Sequence, residues 1–382
     1  MINLGIFADK PMASTGMAIV NHNIAYQLSH NWGEEIRPIY FGRFGTDKGV
    51  ADFSSPFHGY EYVRCEGGVW KAKTVAEAAL KYKLDVIYSE DDWFSMEGLV
   101  NAAKFVKKPL YFLTPIDGLP IQYEALRLFK QCRKVFVPNR SYVHVLNGAF
   151  LPHTVDWEAF RPCTPKMKDF TFLWIGRAEE RKNPLSVIKA FKKVYKKYDC
   201  RLVMRSGWGE SELCNRMNLY LNKYRIPVIK SRMSDIPHER MAEIYSPCHA
   251  YINTSKAGGC EMSIMEANAC GLPTLSTDWN FMNENVIDGV TGFNIPIESF
   301  DIQPQRTQKG IIAGTSGRMW GNISVDALTE KMMWMLENQR EAAQMGVDGL
   351  LHVRENSWTK VTENFVNIIL DDYETLNSKE KK

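Results

Sequence analysis

The sequence predicts an α/β protein of two doubly wound, Rossmann-like domains that face each other across a cleft. Three observations support this fold class. Short apolar segments alternate with longer amphipathic segments, which is typical of parallel strands joined by crossover helices. The alternation occurs in two series, separated by a stretch with three prolines at residues 151–170. The length of 382 residues fits two domains, since a domain typically has roughly 150 residues.

The first series defines a predicted domain at residues 1–152. Its short apolar segments alternate with longer stretches that have the spacing of amphipathic helices. Strands are predicted at 2–8, 36–42, 85–89, 109–114 and 134–138, and helices at 15–29, 72–83, 96–106 and 121–131. This order favours a parallel sheet with helices on both faces.

The second series defines a predicted domain at residues 153–357. Asn183 and Pro184 predict an N-cap followed by a proline at the first helical position. Residues 299–324 show no clear periodicity and are predicted to form an inserted loop, to which no function is assigned. Strands are predicted at 170–176, 201–206, 227–231, 249–255 and 273–277. Ligands of such sheets bind at the carboxyl ends of the strands, so the cleft is the expected site.

A last amphipathic helix is predicted at residues 358–373. It follows the second series in the chain. We expect it to pack back on the first domain.

The composition is that of a globular protein, and it limits the classes of binding partner that we expect. The 47 basic and 44 acidic residues give a net charge of +3, too small an excess to predict nucleic acid as a partner. The eight cysteines include no C-x-x-C pair, so reduced thiols and a cytoplasmic location are expected. No window reaches the roughly 18 apolar residues of a membrane-spanning helix. Peripheral membrane contact stays open, since it needs only a basic or amphipathic surface. The oligomeric state is not decided.

The segment at residues 255–273 predicts an anion site. Its glycine pair, Gly258 and Gly259, follows a predicted strand and precedes a short helix. Backbone amides at the start of a helix, together with the helix dipole, suit a pyrophosphate. The residues that would supply or flank these amides are Cys260, Glu261, Met262 and Ser263. Glu266, about one turn later, either accepts two ribose hydroxyls or is only a charge near the helix end.

The segment at residues 174–184 predicts the cations that would accompany this anion site. A strand ends at Gly176, and Arg177 and Lys182 follow it. A guanidinium pairs with two phosphate oxygens and an ammonium adds a point charge, so the two residues could hold a diphosphate. The alternative is a solvated basic loop that includes Arg181. The strand order favours the first interpretation, because it brings this loop beside the glycine pair.

The two segments resemble the corresponding motifs of retaining glycosyltransferases of family 4, which have the glycosyltransferase-B fold. The matching patterns are GR....K from Gly176 and S...G......EA.ACG.P from residue 255. Four further stretches follow the family in order: Gly16 before a helix, the linker at 152–160, the G-x-G turn of 205–209 with Gly207, and the motif at 284–293. Six motifs in the right order over nearly the whole chain make the resemblance specific.

The resemblance implies roles for these residues. Arg177 and Lys182 match the pair that grips the donor diphosphate, Glu266 matches the acid that binds the nucleotide ribose, and Gly16 matches a loop that approaches the diphosphate from the first domain. The implied reaction moves a hexose, with retention, from a nucleotide diphosphate sugar to a hydroxyl acceptor that is a glycan, lipid-linked or protein-linked. The UDP- or GDP-linked sugar is a co-substrate, and no cofactor is expected. The chain has no D-x-D triplet, so metal-independent transfer is predicted.

The chain departs from the family at two positions. The family carries a Glu eight residues before the ribose Glu, where it contacts the donor sugar, but here that position is Gly258. We hypothesise that Glu261 substitutes for it. Many relatives place a His near the anomeric centre where this chain has Asp117. A catalytic role for Asp117, in orienting a hydroxyl or stabilising positive charge, competes with a simple turn before Gly118.

Other interpretations make different demands on the sequence. Asp91 and Asp92 follow a strand and either face the cleft or form a solvated turn. A nucleotide-sugar 2-epimerase of the same fold would need no acceptor site, and a non-catalytic relative would bind the sugar nucleotide alone. A nicotinamide-dependent oxidoreductase is disfavoured, because residues 8–16 read ADKPMASTG rather than G-x-G-x-x-G.

Overall fold

The computed structural model describes residues 1–11, 13, 15–43, 59–65, 70–209, 211–232, 238–303, 307–308, 311–312 and 317–380. The chain divides into two units. Unit 1 comprises Met1–Ile116, Ile121–His153 and Trp358–Lys382, and unit 2 comprises Asp117–Pro120 and Thr154–Ser357. Each unit is built on a parallel sheet, which confirms the predicted fold class.

Unit 1 has seven described strands in one sheet. They are β1 (Ile2–Asp9), β2 (Ile36–Arg43), β3 (Glu61–Arg64), β4 (Val86–Glu90), β5 (Leu110–Leu113), β6 (Lys134–Val137) and β7 (Ala149–Phe150). Their order is β3-β2-β1-β4-β5-β6-β7, and the described pairings are parallel. Asp9 lies opposite Arg43 in the register, so these two residues meet at the carboxyl end of the sheet.

Helices alternate with the strands of unit 1, the arrangement in which parallel sheets are covered on both faces. They include α1 (Gly16–Asn31), α2 (Ala72–Lys81), α3 (Glu97–Val106), α4 (Tyr123–Phe129) and α5 (Arg140–Leu146). Large aromatic side chains from the strands are completely or almost completely buried and form the core: Phe7, Tyr40, Phe41, Tyr88, Tyr111, Phe112 and Phe136.

Unit 2 has a six-stranded sheet in its described part, with the order β10-β9-β8-β11-β12-β13. The strands are β8 (Phe170–Ala178), β9 (Cys200–Gly209), β10 (Val228–Arg232), β11 (Ala250–Asn253), β12 (Thr274–Thr277) and β13 (Gly292–Ile295). The register of β8 against β9 shifts between Gly176 and Ala178. This irregularity re-aims the chain at the residue between them, Arg177.

The helices of unit 2 are α6 (Pro184–Val194), α7 (Ser211–Tyr224), α8 (Ala242–Tyr245), α9 (Met262–Ala269), α10 (Val325–Glu337) and α11 (Gln339–Val353). Pro184 begins α6, as predicted. Asn183 occupies the N-cap position but makes no side-chain cap, because its backbone is left-handed, with φ of 52°. Its Oδ1 instead accepts a hydrogen bond of 2.9 Å from Ser186 Oγ.

The loop predicted at residues 299–324 is wrong in part. An antiparallel pair, β14 (Ile297–Ile302) and β17 (Met319–Ile323), occupies both ends of it, and β15 (Thr307–Gln308) pairs with β16 (Ile311–Ile312). Strand β14 leaves no recognisable pattern in the sequence, because its apolar side chains are largely exposed. Phe300 is 46% exposed and Ile302 is 73% exposed.

The final helix, α12 (Trp358–Glu380), belongs to unit 1. The Phe365 ring lies 4.8 Å from the Tyr88 ring and 5.5 Å from the Phe136 ring, measured between centroids. Arg133 also donates a 2.6 Å hydrogen bond to Asp372 of this helix. The last helix of the chain therefore completes the core of the unit that the first residues begin.

Candidate functional site

The structure brings the two predicted segments of unit 2 together. Strands β8 and β11 are neighbours in the sheet, so the loops that follow them leave the same edge. Thr254 Oγ1 donates to the backbone oxygens of Lys182 and Asn183, each at 3.0 Å. The amide of Lys256 donates to the backbone oxygen of Arg181 at 2.7 Å. These bonds hold the cationic loop against the glycine-containing loop.

Glu261 lies between two cations of this site. It occupies the N-cap position of α9 and is buried, with 4% of its surface exposed. One carboxylate oxygen forms an ion pair with Lys182 Nζ, and the other lies 3.3 Å from Arg181 Nη1. Sequence reasoning missed this arrangement, since it expected Glu261 to face a sugar.

The pKa shifts of this cluster follow from burial and from the paired charges. Burial lowers the pKa of Lys182, and the Glu261 carboxylate acts in the opposite direction. Burial by itself would raise the pKa of Glu261, but the charges of Lys182 and Arg181 bring that pKa below its ordinary value. Glu261 is therefore ionised at neutral pH and stabilises the charged form of Lys182.

Arg177 differs from its cationic neighbours. It lies at the irregularity of β8, and its side chain is exposed. Within the described ranges its guanidinium has no ion-pair or hydrogen-bond partner. At the adjacent Gly176, the Trp174 ring and the Lys182 side chain pack close to the backbone. A Cβ there would lie 3.0 Å from the Trp174 ring and 3.6 Å from Lys182 Cγ. Arg177 is thus a cation available to an anionic ligand.

The start of α9 has the features of an anion site. Its first turn contains no acidic side chain, and no side chain caps its amides. Gly258 and Gly259 are buried, while Cys260 and Ser263 are partly buried. Asn280 Nδ2 donates to the backbone oxygen of Gly258 at 3.0 Å, which fixes the loop. The positive end of the helix dipole therefore lies beside the Lys182 loop.

Glu266 lies further along α9 and is held by two residues that the sequence did not single out as its partners. Tyr245 Oη donates to Glu266 Oε2 at 2.6 Å, and His238 Nε2 lies 3.5 Å from Oε1. The ring of Phe160 packs edge-on against His238, at 5.0 Å between centroids. Burial, reinforced by the Glu266 charge, holds the pKa of Tyr245 well above its ordinary value, so its hydroxyl keeps its proton.

Three further predicted positions are Asp117, Gly207 and Gly16. Asp117 forms an ion pair with Arg318, whose side chain is 4% exposed, and the amide of Met319 donates to the backbone oxygen of Leu119 at 2.7 Å. Among the described residues Asp117 makes no hydrogen bond or ion pair with Arg177 or Lys182. Gly207 lies in β9, next to the residue that pairs with Gly176.

Gly16, the third of these positions, begins α1 in unit 1. The N-cap Thr15 accepts a 3.2 Å hydrogen bond from the amide of Ala18 and donates one of 3.0 Å to Asp9. Side-chain bonds of Thr15 therefore tie the start of α1 to the end of β1.

Unit 1 carries a second charged cluster at the carboxyl ends of β1, β2 and β4. Arg43 forms ion pairs with Asp91 and, at 3.3 Å, with Asp9. His153 Nε2 lies 3.0 Å from Glu90 Oε1. Burial raises the pKa of Asp91 to about 7, against the opposing effect of Arg43. The solvated turn expected for Asp91 is wrong, because the residue is only 3% exposed.

Three general features complete the description. The eight cysteines carry free thiols. Among the described residues, no helix is long and apolar enough to cross a membrane. In the same part of the chain, no three His, Cys, Asp or Glu side chains are grouped in a way that could hold a metal ion.

The two parallel-sheet units define the glycosyltransferase-B fold. Sucrose-phosphate synthase from Thermosynechococcus elongatus is similar, with a TM-score of 0.77 and 15% identity over 98% of this chain and 100% of that chain. HepE from Anabaena, solved in complex with UDP-glucose, has a TM-score of 0.71 and 12% identity over 97% of this chain and 100% of that chain.

Sequence comparison adds the family. Residues 155–303 match the family model described as Glycosyl transferases group 1. An uncharacterized glycosyltransferase of Methanocaldococcus jannaschii is 30% identical over 114 residues, which are 28% of this chain and 26% of that protein. A phosphatidylinositol N-acetylglucosaminyltransferase chain of Arabidopsis thaliana is 25% identical over 129 residues, 33% of this chain and 28% of that protein. The matches thus span about a quarter of these relatives. The residues that match the Glycosyl transferases group 1 model lie within unit 2.

Proposed function

We propose that the protein transfers a hexose from a nucleotide diphosphate sugar to a hydroxyl acceptor, with retention at the anomeric carbon. The observation that carries the proposal is the meeting of the Arg177–Lys182 loop with the start of α9 at one edge of the unit 2 sheet. That edge is where parallel α/β sheets bind ligands. It offers an exposed guanidinium, a partly buried ammonium and a helix N-terminus, which together suit a diphosphate.

Each group has a part in the proposed reaction. Arg177 and Lys182 bind the diphosphate, and Glu266, oriented by Tyr245, accepts the ribose hydroxyls. The bond between the anomeric carbon and the phosphate oxygen breaks, and negative charge grows on that oxygen. Cations placed beforehand stabilise this charge more in the transition state than in the ground state. The acceptor oxygen then bonds to the same face of the sugar, and its proton passes to the departing phosphate oxygen.

Metal independence and the donor are parts of the same proposal. The positive charge is supplied by side chains and a helix N-terminus, so transfer is expected to need neither a metal nor a cofactor. The donor is UDP- or GDP-linked. HepE, whose structure was solved with UDP-glucose, makes the uridine nucleotide the first to test. Transfer that is lost in excess EDTA and restored by manganese or magnesium would overturn the metal-free part.

The test begins with a thermal-shift screen of UDP, GDP and ADP and of their sugars. Transfer or hydrolysis of the radiolabelled sugar from the best ligand is then measured. Arg177→Ala is expected to raise the barrier by about 2–4 kcal/mol, or roughly 30- to 1000-fold in rate. Arg216→Ala is the matched control, because Arg216 is an exposed arginine of unit 2 that pairs with Glu180 at 2.6 Å. Equal turnover by the parent and Arg177→Ala would overturn the proposal.

A further inference from the structure

Gly258 and Glu261 compete for one volume. A Cβ added at Gly258 would lie 2.4 Å from Glu261 Oε1 and 2.9 Å from its Cγ, closer than real Cβ atoms approach other atoms. The Glu261 carboxylate therefore occupies the space into which any side chain at position 258 would extend. The family 4 glycosyltransferases that the sequence resembles use a Glu at that position to contact the donor sugar. This chain has its carboxylate in the same neighbourhood but delivers it from three residues further on.

The Glu261 carboxylate is fully engaged inside the protein. Lys182 pairs with one oxygen and Arg181 with the other. The side chain is 5% exposed. A carboxylate that contacts sugar hydroxyls needs an oxygen directed towards the ligand, whereas both oxygens here face the cations of the neighbouring loop.

We infer that Glu261 is a positioning residue, which holds Lys182 at the diphosphate site from the space left open by Gly258, and that it does not contact the donor sugar. This inference rests on the proposed function and replaces the hypothesis that Glu261 substitutes for the family Glu. It explains the glycine at 258 and the glutamate at 261 together. A side chain at position 258 would expel the carboxylate, and a residue other than Glu at 261 would leave the partly buried Lys182 without its main counterion.

The consequence for ligand binding separates the two roles. Lys182 serves the diphosphate, which is common to the nucleotide and the nucleotide sugar. If Glu261 only positions Lys182, then Glu261→Ala weakens UDP and UDP-glucose by the same factor, about tenfold or more. If Glu261 contacts the sugar, only the affinity for UDP-glucose falls, and the inference is overturned. Isothermal calorimetry of both ligands with both proteins measures this, with GDP and GDP-mannose used if the screen selects them.

The charge of Glu261 also predicts a pH effect. The charged groups that act on Lys182 are Glu261, Arg181 and Glu179. Removing the anionic charge in Glu261→Gln lowers the pKa of Lys182 further, so the rate that depends on protonated Lys182 falls at a lower pH than in the parent. Glu179→Gln is the control, because Glu179 pairs with Arg181 at 3.1 Å and acts on Lys182 least among these groups. An unmoved basic limb in Glu261→Gln contradicts the inference.

A double-mutant cycle tests the shared volume without any ligand. Gly258→Ala is expected to lower the melting temperature in the parent, because the new methyl group displaces the Glu261 carboxylate. In a Glu261→Ala background the same methyl group has space, so the further loss should be much smaller. Additive losses would refute the shared placement. Failure of the parent to bind UDP, GDP or ADP would instead overturn the proposed function, whatever the outcome of the cycle.

Discussion

Both units carry charged side chains at the carboxyl ends of their parallel strands and use them differently. In unit 1, Arg43 at the end of β2 is buried and paired with Asp9 of β1 and with Asp91, which follows β4. In unit 2, Lys182 is paired with Glu261, but Arg177 at the end of β8 is exposed and has no ion pair in the described part of the unit. Parallel strands deliver charge to one edge in both cases. Whether the charge holds the fold or receives a ligand depends on whether a partner is already present.

The largest expected effect tests the structural role of the unit 1 cluster. Arg43→Met should lower the free energy of unfolding by about 3–5 kcal/mol, because it leaves buried carboxylates without their cation. Arg177→Met should change it by less than about 0.5 kcal/mol, as expected for an exposed residue without partners. Urea unfolding followed by tryptophan fluorescence measures both. Similar losses in the two variants would erase the distinction between the clusters.

The same variant has a predicted pH dependence. Burial already raises the pKa of Asp91 to about 7 in the parent, and removing Arg43 raises it further. A carboxyl group whose pKa is higher in the folded than in the unfolded state favours folding only while it is protonated. The deficit of Arg43→Met should therefore be largest above about pH 7 and shrink as the pH falls towards about 5. A deficit that grows on acidification would contradict this assignment.

A smaller effect is expected at Glu266 of unit 2, which accepts a hydrogen bond from the Tyr245 hydroxyl. Tyr245→Phe removes the hydrogen bond to Glu266, at a cost of about 1–2 kcal/mol in stability and about fivefold in affinity for the nucleotide. Tyr195→Phe is the control, because Tyr195 donates a similar 2.9 Å bond to the backbone of Tyr224. The control should lose stability but keep its affinity. If both variants lose affinity equally, Tyr245 has no special part in orienting Glu266.

The smallest effect compares two helix caps. Thr15 caps α1 in unit 1 and also donates to Asp9, whereas Ser324 caps α10 in unit 2 through a 3.3 Å bond from Ala327. Thr15→Ala should cost about 1 kcal/mol in the free energy of unfolding, and Ser324→Ala somewhat less. Urea unfolding of both variants measures the difference. A larger loss in Ser324→Ala would show that the Asp9 bond adds nothing.

The sequence predicted the parts of the fold that depend on local patterning. Alternating apolar and amphipathic segments indicated the parallel strands and most helices, and Pro184 indicated the start of α6. Short or exposed strands escaped, because β3 has no buried residue, β7 has only two residues and β14 has no buried alternation. Periodicity reports burial, so an element with little burial leaves no pattern.

The sequence identified the segments of the candidate site but not the side-chain contacts within it. Arg177, Lys182 and Glu266 were identified from their positions after strands and in a helix. The pairing of Glu261 with Arg181, 80 residues away, and of Glu266 with Tyr245, 21 residues away, arises from how neighbouring strands and helices meet. Asp91 was expected in solvent because two adjacent aspartates are usually exposed. The buried cation that overrides this tendency, Arg43, lies 48 residues earlier in the chain.

The position of α12 has a consequence for the order in which the protein is made. Phe365 and Ile369 of this helix are fully buried, with Phe365 packed against Tyr88 and Phe136 of unit 1. During translation Tyr88 and Phe136 emerge early. Helix α12, which packs against them, is synthesised only after the whole of unit 2. At about 5–20 residues per second, the delay is on the order of 10–40 s. The first unit to leave the ribosome is therefore the last to close its core, and a nascent chain stalled before residue 358 presents an uncovered aromatic surface to chaperones.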